Sequence, residues 1–267
     1  MRSGNFLASR SLRSVTACIA IASALVLCAA VAPSKAPASA AAGTLSPTIA
    51  LAVESTSTTT PLPAQMATTA GSRQLLIATT ANLRSTVGTL QVFEVVGGAW
   101  VQRVAVSARF GKRGLVDGTR RITGSKMTPT GIWRMPTFVF GKAAKSPGKL
   151  KIKYRRITRN SWWGSRRGRS YNVWVEKRRW QGEHLADYPK SYEFAVSTGY
   201  NSPPNKRVYG RGTAIFLHVK GTTGTAGCVT IARKDMIRVF RLLDPAKRPT
   251  FAVGTLQRGT RTSIWAY

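Results

Sequence analysis

The strongest constraint on the fold is a succession of short β-type runs, each closed by glycine, proline or asparagine. Gln91 to Val96 and Trp100 to Val106 are two such runs, and Gly97-Gly98 between them is typical of a hairpin turn. Further runs follow as GIWRMPTFVFG, SYNVWVEKRRW, YEFAVSTGY, AIFLHV and CVTI. Strands at such short intervals are typical of antiparallel sheets packed as a sandwich or a barrel. The sequence therefore predicts a mainly β fold, and it shows no repeat of fixed length.

One segment, ARKDMIRVFRLLDPAKRP, has the period of a helix instead. Its apolar residues recur at i, i+1, i+4 and i+7, on one helical face: Met236, Ile237, Phe240 and Leu243. Pro245 is expected to end the helix. The pattern predicts a short amphipathic helix soon after the CVTI run.

The first 40 residues have the three regions of a secretory signal. Basic residues come first, an apolar run from Val15 to Ala32 follows, and Ala38-Ser39-Ala40 offers a cleavage site. We expect residues 1–40 to be a signal peptide that exports the protein to the cell envelope. An uncleaved membrane anchor is the alternative, although the run is short for a bilayer span of about 20 residues. Residues 41–71 are rich in Ala, Ser, Thr and Pro and predict a flexible linker, and residues 72–267 predict the folded domain.

The chain carries 41 Lys and Arg against 9 Asp and Glu, a net charge of +32. A surface of this kind attracts polyanions, and for an exported protein these include anionic cell-wall polymers and lipid head groups. Aromatic residues alternate with basic ones between residues 149 and 180, which also suits single-stranded nucleic acid. No nucleic-acid-binding module accompanies them, so we expect instead a strand pair with one buried aromatic face and one solvated basic face.

Cysteine usage singles out one thiol. Cys18 and Cys28 lie in the predicted signal, so Cys228 is the only cysteine of the expected mature protein. A single thiol in an exported protein is an intermolecular disulfide partner, an inert buried residue or a reactive group.

His218 precedes Cys228 in the stretch IFLHVKGTTGTAGCVTI. His218 ends an apolar run and a glycine-rich loop follows, which is long enough to bring Cys228 back beside the histidine. Imidazole is the usual base for a thiol nucleophile. The amides of Gly227 and Cys228 could then bind an oxyanion. The alternative is a buried histidine satisfied by a carbonyl group, next to an inert cysteine.

Other chemistries find less support in the residues. His184, His218 and Cys228 lack the spacing of a zinc site, so no metal is expected. Glu183 and Asp187 flank His184, which fits a surface ion pair better than paired-carboxylate catalysis. The chain has neither a phosphate-binding Gly-Lys-Ser/Thr loop nor a Gly-x-Ser-x-Gly nucleophile elbow.

The segments AIFLHV and TAGCVTI together resemble the active-site signature of the L,D-transpeptidase (YkuD-type) catalytic domain family. GSKMTPTGIW resembles the family's Thr-Pro-x-Gly segment, and GEHLADYP, GYNSPP and the closing FAVG strand also fit, over approximately residues 74–254. The resemblance implies a β-sandwich with a short helix after the catalytic cysteine and no cofactor. It also implies that Cys228 is the nucleophile, that His218 is its base, and that peptidoglycan stem peptides are the substrate.

The chain departs from the commoner form of the signature at three positions. Ala226 replaces a histidine, Thr230 replaces Arg or Asn, and Val219 follows the base where Gly or Ser is frequent. We expect Thr225, Ala226 and Thr230 to neighbour the substrate.

Near the predicted substrate site, we also expect His184 or Glu183 to compensate for the missing histidine. Thr128 to Gly131 are expected to form a structural turn. Two alternatives to transpeptidation stay open: a hydrolase or carboxypeptidase with the same dyad, and a non-catalytic protein that binds cell wall or polyanions.

Overall fold

The computed structural model describes residues 60–221 and 224–267. The predicted signal peptide and most of the predicted linker lie outside the described residues. The strands are, in chain order, β1 (Gln74–Thr80), β2 (Val87–Val96), β3 (Ala99–Arg109), β4 (Leu115–Asp117), β5 (Thr128–Arg134), β6 (Phe138–Gly141), β7 (Lys153–Arg156), β8 (Ser161–Gly164), β9 (Trp174–Glu176), β10 (Gly182–His184), β11 (Ala195–Ser197), β12 (Phe216–Val219), β13 (Val229–Ile231) and β14 (Thr250–Thr255). The α-helices are α1 (Leu62–Gln65) and α2 (Arg233–Leu242), and 3-10 turns span Leu185–Asp187, Pro245–Lys247 and Ile264–Ala266.

Eleven strands form one mixed sheet in the order β4-β5-β14-β1-β2-β3-β13-β12-β11-β6-β7. A second sheet has the order β10-β8-β9. Most neighbours are antiparallel, whereas four pairs are parallel: β1 with β14, β12 with β13, β4 with β5 and β6 with β7. The predicted mainly β fold is confirmed.

The large sheet wraps around one hydrophobic core. Strands from both halves of the sheet and helix α2 each contribute buried side chains to it: Leu76, Leu90, Val104, Val139, Val196, Leu217, Val229, Phe240 and Phe251. Side chains from strands so far apart in the sheet meet only if its two halves face each other, as in a sandwich. A second cluster on the opposite face of β6, β11 and β12 contains Phe140, Ala195, Phe216 and Cys228 and packs against Trp163 of β8.

The β2–β3 hairpin has the predicted turn. Gly97 and Gly98 both have positive φ, of 56° and 84°, which a type I′ turn requires and glycine adopts without strain. The turn expected at Thr128–Gly131 is wrong, because these residues begin β5 and pair with β4 and β14. Strand pairing on both sides overrides the local turn preference of a Pro-Thr-Gly sequence.

The described residues include the last part of the predicted linker. Helix α1 starts at Leu62, and Met66 packs with Leu75, Ile77 and Phe93 in a third hydrophobic cluster. Leu62 packs against the same cluster, so this part of the chain contacts β1 and β2.

The predicted helix after the cysteine is confirmed as α2. Met236, Val239 and Phe240 are fully buried and Ile237 is half-buried, so the buried face is rotated slightly from the expected one. Leu243 caps the helix and Pro245 begins the next turn. Within the described residues, no helix is long and apolar enough to cross a membrane.

Candidate active site

Two adjacent parallel strands position His218 and Cys228. His218 of β12 pairs with Thr230 of β13, and Cys228 immediately precedes β13. Side chains alternate along a strand, so Leu217 points into the sandwich core while His218 points to the opposite face. Cys228 lies on that opposite face too, in the cluster that contains Phe216. The glycine-rich loop thus returns the chain to the face that carries the histidine.

His218 and Cys228 line one cavity of about 370 Å³. The other lining residues come from the loops around β10, β11 and β12 and from residues 121–124: Arg121, Thr123, Gly124, Glu183, Tyr188, Ser191, Tyr192, Gly212, Thr213, Ala214, Ile215, Gly221, Gly224, Thr225 and Ala226. Both reactive side chains are largely shielded, since His218 is 6% exposed and Cys228 is 7% exposed. The cavity is therefore a shaped pocket with a thiol and an imidazole in its wall.

The Cys228 thiol is held by backbone groups. Its Sγ accepts a hydrogen bond from the Phe216 amide at 3.4 Å and donates to the Ala214 carbonyl at 3.3 Å. Burial raises the pKa of Cys228 to about 12, and the Glu183 carboxylate adds to this, whereas the Phe216 amide and Arg121 oppose it. The thiol is consequently protonated at neutral pH.

The His218 ring is also bound to backbone. Its Nδ1 lies 2.9 Å from the Val219 carbonyl oxygen, and the ring packs edge-on against Tyr192 with centroids 5.2 Å apart. Burial lowers the pKa of His218 to about 4, against the opposing effect of the Val219 and Ser191 carbonyls. The imidazole is therefore neutral at pH 7 and available to accept a proton.

The resting pair is thus a neutral thiol beside a neutral imidazole. A thiolate–imidazolium pair would require the opposite pKa order. The thiol donates to Ala214, so it must turn from this carbonyl to transfer its proton to His218. Such an arrangement suits general-base catalysis, in which the proton moves as the sulfur attacks.

The turn before Cys228 is fixed by Thr225. Its Oγ1 donates to the Cys228 carbonyl at 2.7 Å and accepts from the Gly227 amide at 3.1 Å. Gly227 has φ of 137°, and a Cβ there would lie 2.8 Å from the Met127 carbonyl oxygen, so no larger residue fits. Of the two amides expected to bind an oxyanion, that of Gly227 is engaged by Thr225 in this structure.

The structure separates Glu183 from His184. Glu183 lines the cavity and accepts a hydrogen bond from the Tyr192 hydroxyl, and burial raises its pKa. The His184 ring stacks on Trp162, 4.3 Å away, and its Nδ1 lies 2.7 Å from Asp187. Adjacent residues of a strand face opposite sides, so only the glutamate faces the cavity. His184 instead contacts Asp187, one of its two flanking acids.

Of the other residues predicted to neighbour the substrate, two line the cavity and one does not. Thr225 and Ala226 line the cavity, whereas Thr230 is buried beside His218 in the sheet and is not part of the cavity wall. Within the described residues, no group of three or more His, Cys, Asp and Glu is arranged to hold a metal ion.

Sequence reasoning missed Arg121 and Tyr192. Arg121 is one of two consecutive arginines in a chain with 41 basic residues, and no local pattern distinguishes it from Arg120. Tyr192 precedes β11, where alternation would have placed it on the same face as Phe194. Only the packing of β10 against this region shows that Tyr192 contacts the site.

The basic, aromatic-rich segment forms the expected strand pair. Strand β8 pairs with β9, and Trp163 is buried against Phe140, with ring centroids 5.8 Å apart. Arg155 of the neighbouring β7 lies over the Phe138 ring at 4.2 Å. Trp163 of this sheet belongs to the same hydrophobic cluster as Cys228.

No curated protein sequence matches the chain. A solved structure, that of Bdellovibrio bacteriovorus Bd1075, is 16% identical with a TM-score of 0.35, and the match covers 70% of this chain and 49% of that one. This chain therefore spans about half of that protein's length.

A family model described as YkuD, the L,D-transpeptidase catalytic domain, matches residues 88–261. The match includes most of the large sheet, helix α2 and both residues of the His218–Cys228 pair. Members of this family are cell-wall enzymes that act on peptidoglycan stem peptides. The chain belongs to the L,D-transpeptidase catalytic domain (YkuD) family.

Proposed function

We propose that the protein is an exported cysteine acyltransferase that cross-links peptidoglycan stem peptides through a thioester at Cys228. The observation that carries the proposal is that His218 of β12 and Cys228, which immediately precedes the neighbouring β13, line one cavity. Nucleophilic acyl transfer needs a nucleophile, a nearby base and an amide donor, and we assign these roles to the Cys228 thiol, to His218 and to the Cys228 amide.

Acylation begins with attack of the Cys228 sulfur on the carbonyl carbon of the stem's L-to-D peptide bond. The thiol proton passes to His218 as the S–C bond forms. The Cys228 amide is suited to donate to the resulting oxyanion, since it donates to no acceptor among the described residues. Collapse breaks the C–N bond, and terminal D-alanine leaves with the proton held by His218.

Deacylation repeats the steps with an amine in place of the thiol. The amine of a neighbouring stem attacks the thioester, His218 accepts its proton, and the C–S bond breaks. The proton then returns to the sulfur, which regenerates the resting thiol. Water can replace the amine as the attacking group, and the outcome is then hydrolysis to a shortened stem.

The basic surface supports a role at the cell wall. The chain has 41 basic and 9 acidic residues, and many of its Lys and Arg side chains are exposed around β7 to β9. We propose that these charges hold the enzyme on anionic wall polymers. Such binding weakens as salt screens the charges.

The test is product analysis with a synthetic stem tetrapeptide, with and without an amine acceptor. The proposal expects a cross-linked product and free D-alanine only when Cys228 is intact, and loss of both in Cys228→Ala and His218→Asn. A tripeptide product regardless of acceptor would indicate a carboxypeptidase. No turnover by folded protein, together with salt-sensitive wall binding that survives Cys228→Ala, would contradict the enzyme proposal and favour a binding protein.

A further inference from the structure

Arg121 is a buried cation in the wall of the cavity that contains Cys228. Arg121 is only 4% exposed. Nε donates to the Met127 carbonyl at 3.0 Å, Nη1 to the Arg211 carbonyl at 2.7 Å, and Nη2 to the Ala226 carbonyl at 3.3 Å. The guanidinium is thus attached to the segment that immediately precedes the nucleophile.

No carboxylate neutralises this charge. Among the described residues, the ion pairs of the protein involve other basic residues, and each Arg121 hydrogen bond ends on an uncharged carbonyl. Burying an arginine without an acidic partner costs free energy. In a protein with many exposed basic residues, solubility does not require a charge at this position. The arrangement therefore points to an anion that forms in the cavity.

The surroundings of Arg121 are shaped for the guanidinium. A Cβ at Gly212 would lie 2.0 Å from Nη1, and one at Gly227 would lie 2.9 Å from Nη2. Both residues have positive φ, of 89° and 137°, where glycine is favoured. The Tyr200 ring lies 5.8 Å from the guanidinium carbon, and its hydroxyl donates to the same Arg211 carbonyl. Two glycines and a tyrosine thus hold the cation in one place.

Five ionisable groups line the cavity together with the thiol: Arg121, Glu183, Tyr188, Tyr192 and His218. Glu183 of β10 disfavours a negative charge on Cys228, and Tyr192 before β11 donates to that glutamate. His218 of β12 is neutral at pH 7. Arg121 is the cation among the described groups that favours the thiolate.

We infer that Arg121 is the positioning residue of the nucleophile: its fixed charge stabilises negative charge on the Cys228 sulfur, and its bond to Ala226 orients the peptide before Gly227. The inference rests on the proposed function for its catalytic meaning. The charge compensates within the cavity for the histidine that Ala226 replaces in the family signature. A preorganised cation of this kind lowers the barrier to forming an anion without further rearrangement.

The test is the rate of Cys228 alkylation by iodoacetamide between pH 7 and 10.5. Arg121→Gln should slow alkylation by about tenfold or more at each pH below the thiol's pKa, because removing a neighbouring cation raises that pKa by one or more pH units. Arg120→Gln is the matched control: it makes the same change at the adjacent exposed residue and should leave the rate within twofold. Arg121→Lys retains a charge and should fall between wild type and Arg121→Gln.

Circular dichroism and a thermal melt establish that each variant is folded. If Arg121→Gln does not fold, the alkylation rate of Arg121→Lys is compared with that of wild type instead. A merely structural arginine would give equal rates for the Lys and Gln variants, and this result would overturn the inference. A wild-type thiol that stays unreactive up to pH 10.5 would do the same. Alkylation needs no peptide substrate, so a rate shift without transpeptidation would contradict the proposed function and leave the inference standing.

Discussion

Protonation of His218 should destabilise the folded protein as the pH falls below neutrality. The histidine is 6% exposed, and burial lowers its pKa from 6.5 to about 4. The unfolded chain therefore binds a proton between these two values while the folded protein does not, so stability rises with pH across that window. Each unit of pKa difference between the unfolded and folded states corresponds to about 1.4 kcal/mol of stability, so the full effect is roughly 3 kcal/mol. About 2 kcal/mol of this stability is lost between pH 7 and pH 5.

Urea unfolding of wild type and His218→Asn at pH 7 and pH 5 measures this effect. Asparagine keeps a polar side chain of similar size but does not titrate, so the variant should lose about 2 kcal/mol less than wild type on acidification. The carboxylates titrate in both proteins and cancel in the comparison. An equal loss of stability in wild type and His218→Asn would refute the reasoning that His218 is buried in its neutral form.

Two further predictions concern the backbone around the nucleophile. Asn172 is buried, and its side chain hydrogen-bonds the Ala214 amide, the Trp163 indole and the carbonyls of Tyr200 and Asn201. Asn172→Ala should therefore lower the free energy of unfolding in urea by about 3 kcal/mol or more. A loss below about 1 kcal/mol would contradict a stabilising role for these hydrogen bonds. Thr225→Val removes the hydroxyl that fixes the Cys228 turn, and it should reduce turnover more than tenfold and stability by about 1 kcal/mol. Thr225→Ser keeps the hydroxyl and should retain activity. Equal turnover in both variants would argue against a role for the hydroxyl.

The sequence predicted the parts of the structure that depend on local periodicity. The alternation of β-type runs, the Gly97-Gly98 turn and the helical face of Met236 and Phe240 all follow from side-chain direction along one element. The resemblance of the motif to a known family is likewise confirmed, because it depends on residues close together in the chain.

Features that depend on packing between distant segments were not predictable in this way. Thr128–Gly131 has the composition of a turn, yet it is a strand, because its first three residues pair with β4 and Gly131 pairs with β14. Met66 docks a segment whose composition indicates a flexible linker. Glu183 and His184 were considered together, and the twofold alternation of β10 places only the glutamate in the cavity.

The electrostatics of the site depend even more on tertiary structure. Arg121 and Arg120 are equivalent in sequence, and one is buried beside the thiol while the other is exposed. Burial raises the pKa of Cys228 and lowers that of His218. A thiolate–imidazolium pair would need a low thiol pKa and a high imidazole pKa instead. Burial is a property of the folded protein, so the sequence could identify the pair but not its resting protonation.

The most direct test of the account is the intact mass of the protein after incubation with a carbapenem, an acylating inhibitor typical of the family. The account predicts that wild-type protein gains the mass of one carbapenem, that the modified residue is Cys228, and that Cys228→Ala gains none. Folded wild-type protein without an adduct, or an equal adduct on Cys228→Ala, would contradict the claim that Cys228 is the nucleophile of an acyl-transfer enzyme.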